Sequence, residues 1–308
     1  MIAYGVFLLV LILQLGVLAQ ATDSLGGYAG RVGVQGVLFA AVGGYLYAFA
    51  TVVLGVTPWL AVAYVVAAVF VLGWGAGSLF LRLRENDFLL ATLAAQLCFL
   101  EVANNVPALG GPLGIRDVPL LPAFGVSGDA VVDALWILIP SAVLSTAILT
   151  AFLTALVTHL RVRTRRFKTF VPWIRDDAIS AASLGLPKAW LLMTLFIVQA
   201  VFSATAGIGL VVSQGYVSPD AFDLSLSLTV LTVVYLSGTA GLPWVMFAGA
   251  FLVVTLNEGL RAVQSLPQLV GPVQQIAVNA LLVLVLLVRR RGLAGPVLEP
   301  GPSATILE

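Results

Sequence analysis

Three carboxylates are the first candidates for chemistry in a chain otherwise short of ionisable groups: Glu101, Asp133 and Glu258. Each falls near the end of a long apolar stretch, on the outer side by the charge argument below. An ionisable group at membrane depth is expensive and suggests a polar entrance to a pathway. Asn104 and Asn105 would add hydrogen-bond donors beside Glu101. The competing reading is a set of interfacial carboxylates, hydrated or paired, which membranes tolerate cheaply. A proton relay wants carboxylates near mid-membrane, and the apolar stretches place none there.

Enzyme chemistry finds less support. One histidine, His159, excludes a multi-histidine metal site, and one cysteine, Cys98, excludes an intrachain disulfide or a thiolate cluster. No GxSxG elbow is present. Nothing matches the phosphate-binding pattern GxxxxGK[ST], so the chain cannot hydrolyse ATP by that route on its own. The adjacent pair Asp176-Asp177 points in two directions on a helix and reads as helix capping rather than as an acid/base pair.

The elements that carry these residues are set by composition. The chain is 60% hydrophobic and 9% charged, with a mean hydropathy of +1.08, whereas soluble domains hold about 25% charged residues. Its solvent is therefore largely lipid. A net charge of +1 argues against a nucleic-acid partner. Apolar segments run over about 2–19, 34–54, 58–81, 88–106, 130–160, 189–212, 224–236, 244–256 and 273–288. The first lacks a basic start and reads as a retained membrane segment rather than a signal peptide. In the second, Gly33, Gly36, Ala40, Gly43, Gly44 and Ala48 place small residues along one side, which allows close helix approach. Asp133 and Pro140 lie in the fifth, which is long enough to tilt or kink. The seventh and eighth are short and separated by Gly and Pro, so a half-helix reading stays open for them. The fold class is all-α: a polytopic transmembrane helix bundle of about eight to ten membrane segments. Residues 1–292 form the membrane domain, and the tail 293–308 reads as disordered.

Orientation follows from charge. The longest polar interruption, residues 159–188, holds seven of the 15 basic residues: Arg161, Arg163, Arg165, Arg166, Lys168, Arg175 and Lys188. With this loop inside and the segments alternating, thirteen basic residues fall inside and only Arg116 and Arg261 outside. The N-terminus is then outside and the C-terminus cytoplasmic. Within the loop, Asp176 or Asp177 caps a short helix that Gly185-Leu-Pro187 stops, a length on the order of 13 Å. Ala178, Ala181, Ala182 and Gly185 share one face of small side chains. That face suits either a docking partner or this protein's own segments.

The whole chain resembles the LivM-like permease subunits of branched-chain amino acid, amide and urea ABC importers. The resemblance is carried in order by Gly27-Tyr-Ala-Gly30, Gly33 and Gly36, Ala91-Thr-Leu93, Gly110-Gly-Pro-Leu-Gly-Ile115, Ile174-Arg-Asp-Asp177 through Gly185 and Lys188, Ser203-Ala204, Ala206-Gly207, Ser218-Pro219 and Arg291-Gly-Leu-Ala-Gly295. Ala178 and Ala182 stand where the family usually carries glutamate, and Gly238-Thr-Ala-Gly241 is less regular than usual. The resemblance implies uptake of a small solute by alternating access in a bacterial cytoplasmic membrane. It implies a LivH-like second permease, two cytoplasmic ATPase subunits holding ATP and Mg, an extracytoplasmic solute-binding protein, and no cofactor on this chain. It makes Arg175, Asp176, Asp177, Ala178, Ala181, Ala182, Gly185 and Lys188 the ATPase-coupling surface. The alternative is an ion-coupled secondary transporter or facilitator of a small polar solute.

Overall fold

The structure, a computed structural model, describes residues 2–119, 188–238 and 243–263 together with positions 276 and 280. Segment five, segment nine apart from positions 276 and 280, Asp133, the coupling residues 175–185 and the tail 293–308 lie outside the described residues. Seven α-helices are described: α1 Ile2–Ala29, α2 Gln35–Ala48, α3 Pro58–Phe80, α4 Glu85–Asn105, α5 Lys188–Gln214, α6 Leu224–Ser237 and α7 Pro243–Val263. A π-helical turn, Phe49–Val53, extends α2, and a 3-10 turn, Pro219–Phe222, leads into α6. Six of these stretches are long and apolar enough to cross a membrane. Among the described residues there is no strand, only one β-bridge, Ile115 to Val217.

Two boundaries differ from the apolar pattern. Helix α1 continues ten residues past the first apolar segment, through Gln20–Ala29. Within the polar stretch the hydroxyls are absorbed by the helix itself, Thr22 Oγ1 donating to the Leu18 carbonyl at 2.9 Å and Ser24 Oγ to the Ala21 carbonyl at 2.6 Å. Neighbouring helices also cover Gln20, Thr22 and Asp23, all of them buried. Helix α7 runs through Asn257 and Glu258, giving 21 residues and a length of about 32 Å. It is therefore not short, although its apolar part is.

Helix α5 is the centre. It packs against α1, α2 and α3, and 78% of its apolar window is buried, against 28% for α3 and α4. The α2–α5 seam is made of small residues on both sides. A side-chain carbon at Gly43 would meet the Ala204 backbone at 2.6 Å, and one at Gly207 would run into the Ala40 carbonyl. Such contacts let two backbones approach closely where no hydrophobic drive separates helix from lipid. The expected small-residue face of segment two is thus a helix–helix interface. Helix α3 buries every fourth residue (Ala61, Val65, Val69, Gly73 and Gly77) and leaves Trp59, Tyr64, Phe70 and Trp74 exposed on other faces. That pattern is a helix with one packed stripe and a lipid-facing remainder. Phe196 of α5 anchors an aromatic cluster, with Phe39, Phe80 and Phe88 ring centroids at 5.7, 6.4 and 6.5 Å.

The ends pair as alternating crossings require. Tyr4 at the start of α1 donates to Glu258 near the end of α7. At the other end of α1, Arg31 donates to the Leu83 carbonyl at 2.9 Å and lies 5.7 Å over the Phe88 ring. The loops after α4 and α5 meet in a cap. Ile115 and Val217 exchange backbone hydrogen bonds of 2.9 and 3.0 Å, and Val118 N–H donates to the Gly215 carbonyl at 3.0 Å. Gly114, with φ 70° and ψ −170°, holds a conformation open essentially only to glycine. A side chain there would strike the Val217 carbonyl. Tyr47 reaches the cap from α2, donating to the Pro119 carbonyl at 3.2 Å.

Candidate functional site

Of the carboxylates singled out above, Glu101 lies near the end of α4 and Glu258 near the end of α7. Glu101 is exposed, and Asn105 Nδ2 donates to its carbonyl at 2.8 Å and approaches its Oε2 at 3.4 Å. Asn104 is half-buried beside them at the end of α4. Glu258 is half-buried and engaged by Tyr4. Lys188 opens α5. Glu101 and Glu258 thus each have their own partner, and Asp133 is outside the described residues.

The polar residues that the apolar pattern concealed are in the interior. Gln14, Gln20, Thr22, Asp23 and Ser24 of α1, Gln35 of α2, Thr92 and Gln96 of α4, and Gln199, Ser203 and Thr205 of α5 are all buried. Asp23 is the one acidic residue among the buried described residues. Two clusters among these residues differ in their degree of satisfaction.

The first group is complete. Gln96 Nε2 donates to the carbonyls of Phe222 and Asp223 at 3.0 and 3.3 Å, and Ser227 Oγ donates to Gln96 Oε1 at 2.9 Å. Asp223 in turn caps α6, accepting from the Leu226 N–H at 3.0 Å. This group fixes the start of α6 against α4, and nothing in it is left to bind a solute.

The second group is incomplete. Gln35, the first residue of α2, donates through Nε2 to Gln199 Oε1 at 3.0 Å. Gln35 Oε1, Gln199 Nε2 and Ser203 Oγ are buried without a hydrogen-bond partner. Turning both amides over together exchanges the free donor and the free acceptor, so the pair offers one of each either way. These groups close on Gly36. From the point where a side-chain carbon of Gly36 would stand, Thr22 Oγ1 is 2.5 Å away, Ser203 Oγ 3.5 Å and Gln199 Nε2 3.6 Å. Helix α2 begins here without a side-chain cap; Val37 and Leu38 N–H already bond the Val34 carbonyl, so its start adds the N–H groups of Gln35 and Gly36 and the positive end of its dipole. Each buried orphan costs about 1–3 kcal/mol. Mid-segment glutamines were the signal: Gln14 and Gln199 each interrupt an otherwise apolar run. Among the described residues no group of three His, Cys, Asp or Glu is placed to hold a metal ion.

Long apolar helices around a largely apolar core that holds a minority of buried polar side chains, with apolar side chains also facing outward, define a multi-pass helical membrane protein. The chain belongs to the family described as branched-chain amino acid transport system / permease component, whose model matches residues 6–288. It is 28% identical over 266 residues to the high-affinity branched-chain amino acid transport system permease protein LivM of Escherichia coli strain K12, covering 75% of this chain and 59% of that protein. It is also 28% identical over 260 residues to the LivM protein of Salmonella typhimurium, covering 73% of this chain and 57% of that protein. The chain thus spans less than two thirds of the length of these curated relatives. No solved structure matches.

Proposed function

We propose that the chain is one permease subunit of an ABC importer in a bacterial cytoplasmic membrane. Its solute is a branched-chain amino acid or a related amino acid, amide or urea. The observation that carries this is the family match over 6–288, on a fold of long apolar helices around unsatisfied polar groups. A LivH-like subunit completes the pore, two ATPase subunits bind ATP and Mg in the cytoplasm, and a solute-binding protein delivers the solute from outside. Residues 175–188 take the ATPase stroke, with Gly185 and the alanine face as the docking side. The test is uptake of labelled leucine by proteoliposomes holding the assembled complex and its binding protein. Accumulation should require ATP on the ATPase side. Uptake by this chain alone down an ion gradient overturns the reading, and the buried Asp23 is the observation that would then favour an ion-coupled carrier.

Sidedness has its own check. In a variant lacking Cys98, a cysteine replacing Arg116 is expected to react with an impermeant thiol reagent added outside intact cells, and one replacing Arg84 only after the membrane is opened. The reverse pattern inverts the topology.

A further inference from the structure

We propose that the cluster at Gly36 is a recognition site for the carboxylate of the transported amino acid, built from Ser203 Oγ, Gln199 Nε2 and the first turn of α2. The proposal rests on the functional reading above. Its ground is that the cluster is worse for folding than simpler alternatives. Ser203 has a buried hydroxyl with no partner, and alanine at that position would remove an orphan without leaving a hole of any size. A membrane interior offers no water to compensate such groups. Residues kept against stability in this way are expected at functional sites.

The chemistry of the convergent groups selects the ligand. Ser203 Oγ and Gln199 Nε2 approach the same point beside Gly36, and the uncapped helix start adds donors and partial positive charge. Thr22 has committed its proton to the Leu18 carbonyl and offers only lone pairs. Ser203 and the helix start therefore supply donors around Gly36 in either amide assignment, joined by Gln199 Nε2 in the one shown, which suits a carboxylate. No full cation faces it from these residues, and Asp23 follows Thr22 on α1 as a buried acid. A bare anion would be poorly held there. A zwitterion brings its own cation, and the free amide oxygen of Gln35 accepts from an ammonium group. Binding of this kind is weak, as release to the other side requires. In the present conformation the site is shut: Gln199 and Ser203 have no exposed surface. Access comes when α2 and α5 part at the Gln35 end of their seam only, which breaks the Gln35–Gln199 hydrogen bond and moves Phe39 off Phe196.

The test is equilibrium dialysis of labelled leucine against the purified complex without its binding protein, with leucinamide as competitor. Wild type should bind leucine and prefer it to leucinamide by about tenfold, and Ser203→Ala should lose about tenfold in leucine affinity along with that preference, as expected for a hydrogen bond to a charged group. The Tm of Ser203→Ala should be unchanged or raised, which separates recognition from a folding defect. Gln199→Leu should weaken leucine in the same direction. Unchanged leucine affinity and preference in both variants overturns the proposal and leaves the cluster a site for water only. So does a complex that takes up leucine yet binds none at this stage. A complex that takes up no amino acid, amide or urea overturns the functional reading, and this proposal with it; one that takes up only an amide or urea leaves that reading standing and overturns this proposal alone.

Discussion

Gly207→Leu is expected to leave little folded protein, with a loss on the order of 3 kcal/mol or more, beyond the usual range for overpacking. The reason is what the side chain would meet. Its first carbon falls on the Ala40 backbone, including the carbonyl oxygen, and a backbone cannot rotate away as a side chain can. Helices α2 and α5 would have to separate along their whole seam, exposing Gly43 and Ala204 and pulling Gln35 from Gln199. A thermal melt of the purified protein in detergent reads this directly. Gly75→Ala is the control: Gly75 lies in α3 with open space around it, so alanine there should raise stability by about 1 kcal/mol through helix propensity. Equal effects at the two positions would remove the seam from its central role.

Gln96→Leu is the second large effect. It leaves the carbonyls of Phe222 and Asp223 and the hydroxyl of Ser227 without the amide that joins them to α4. The loss should be about 2 kcal/mol, since it strands buried groups rather than removing both partners. Its location is specific. Hydrogen exchange should rise in the turn 219–222 and the first turn of α6, and stay unchanged in α2 and the middle of α5. Uniform acceleration across the bundle would mean that Gln96 is a general core residue and not a clamp on one loop.

Much of the bundle is legible in the sequence because charges and helix breakers bracket it. Pro58 opens α3 at its first position, and Arg82-Leu-Arg84 follows its end. Glycine and alanine on segment two announce a close helix contact, though not with which helix. The partner residues Ser203, Ala204 and Gly207 are more than 150 positions further on, and no local pattern links them to Gly43. The end of α1 misleads for a related reason. Gln20–Ser24 is as polar as a loop, and only the burial supplied by other helices keeps it helical. The site is harder still. Glu101 and Glu258 attract attention as charges, and the structure keeps them near helix ends, Glu101 engaged by Asn105 of its own helix and Glu258 by Tyr4 of α1. The unsatisfied groups are uncharged amides and a serine, which a search for charges passes over although Gln199 interrupts an apolar run. Their significance lies in missing partners, which only three-dimensional packing reveals.

The order of the α2–α5 seam has a consequence for synthesis. Roughly 140 residues separate the end of α2 from the start of α5, so at 5–20 residues per second the second half of the seam follows the first by about 7–30 s. During that interval Gln35 and the small-residue face of α2 meet whatever the insertion machinery or the lipid provides. A nascent chain stalled before Lys188 therefore presents a polar flank with no mate. Maturation of this protein is gated by the arrival of one late helix, and a ribosome pause ahead of it lengthens the time its first two helices stand unmatched.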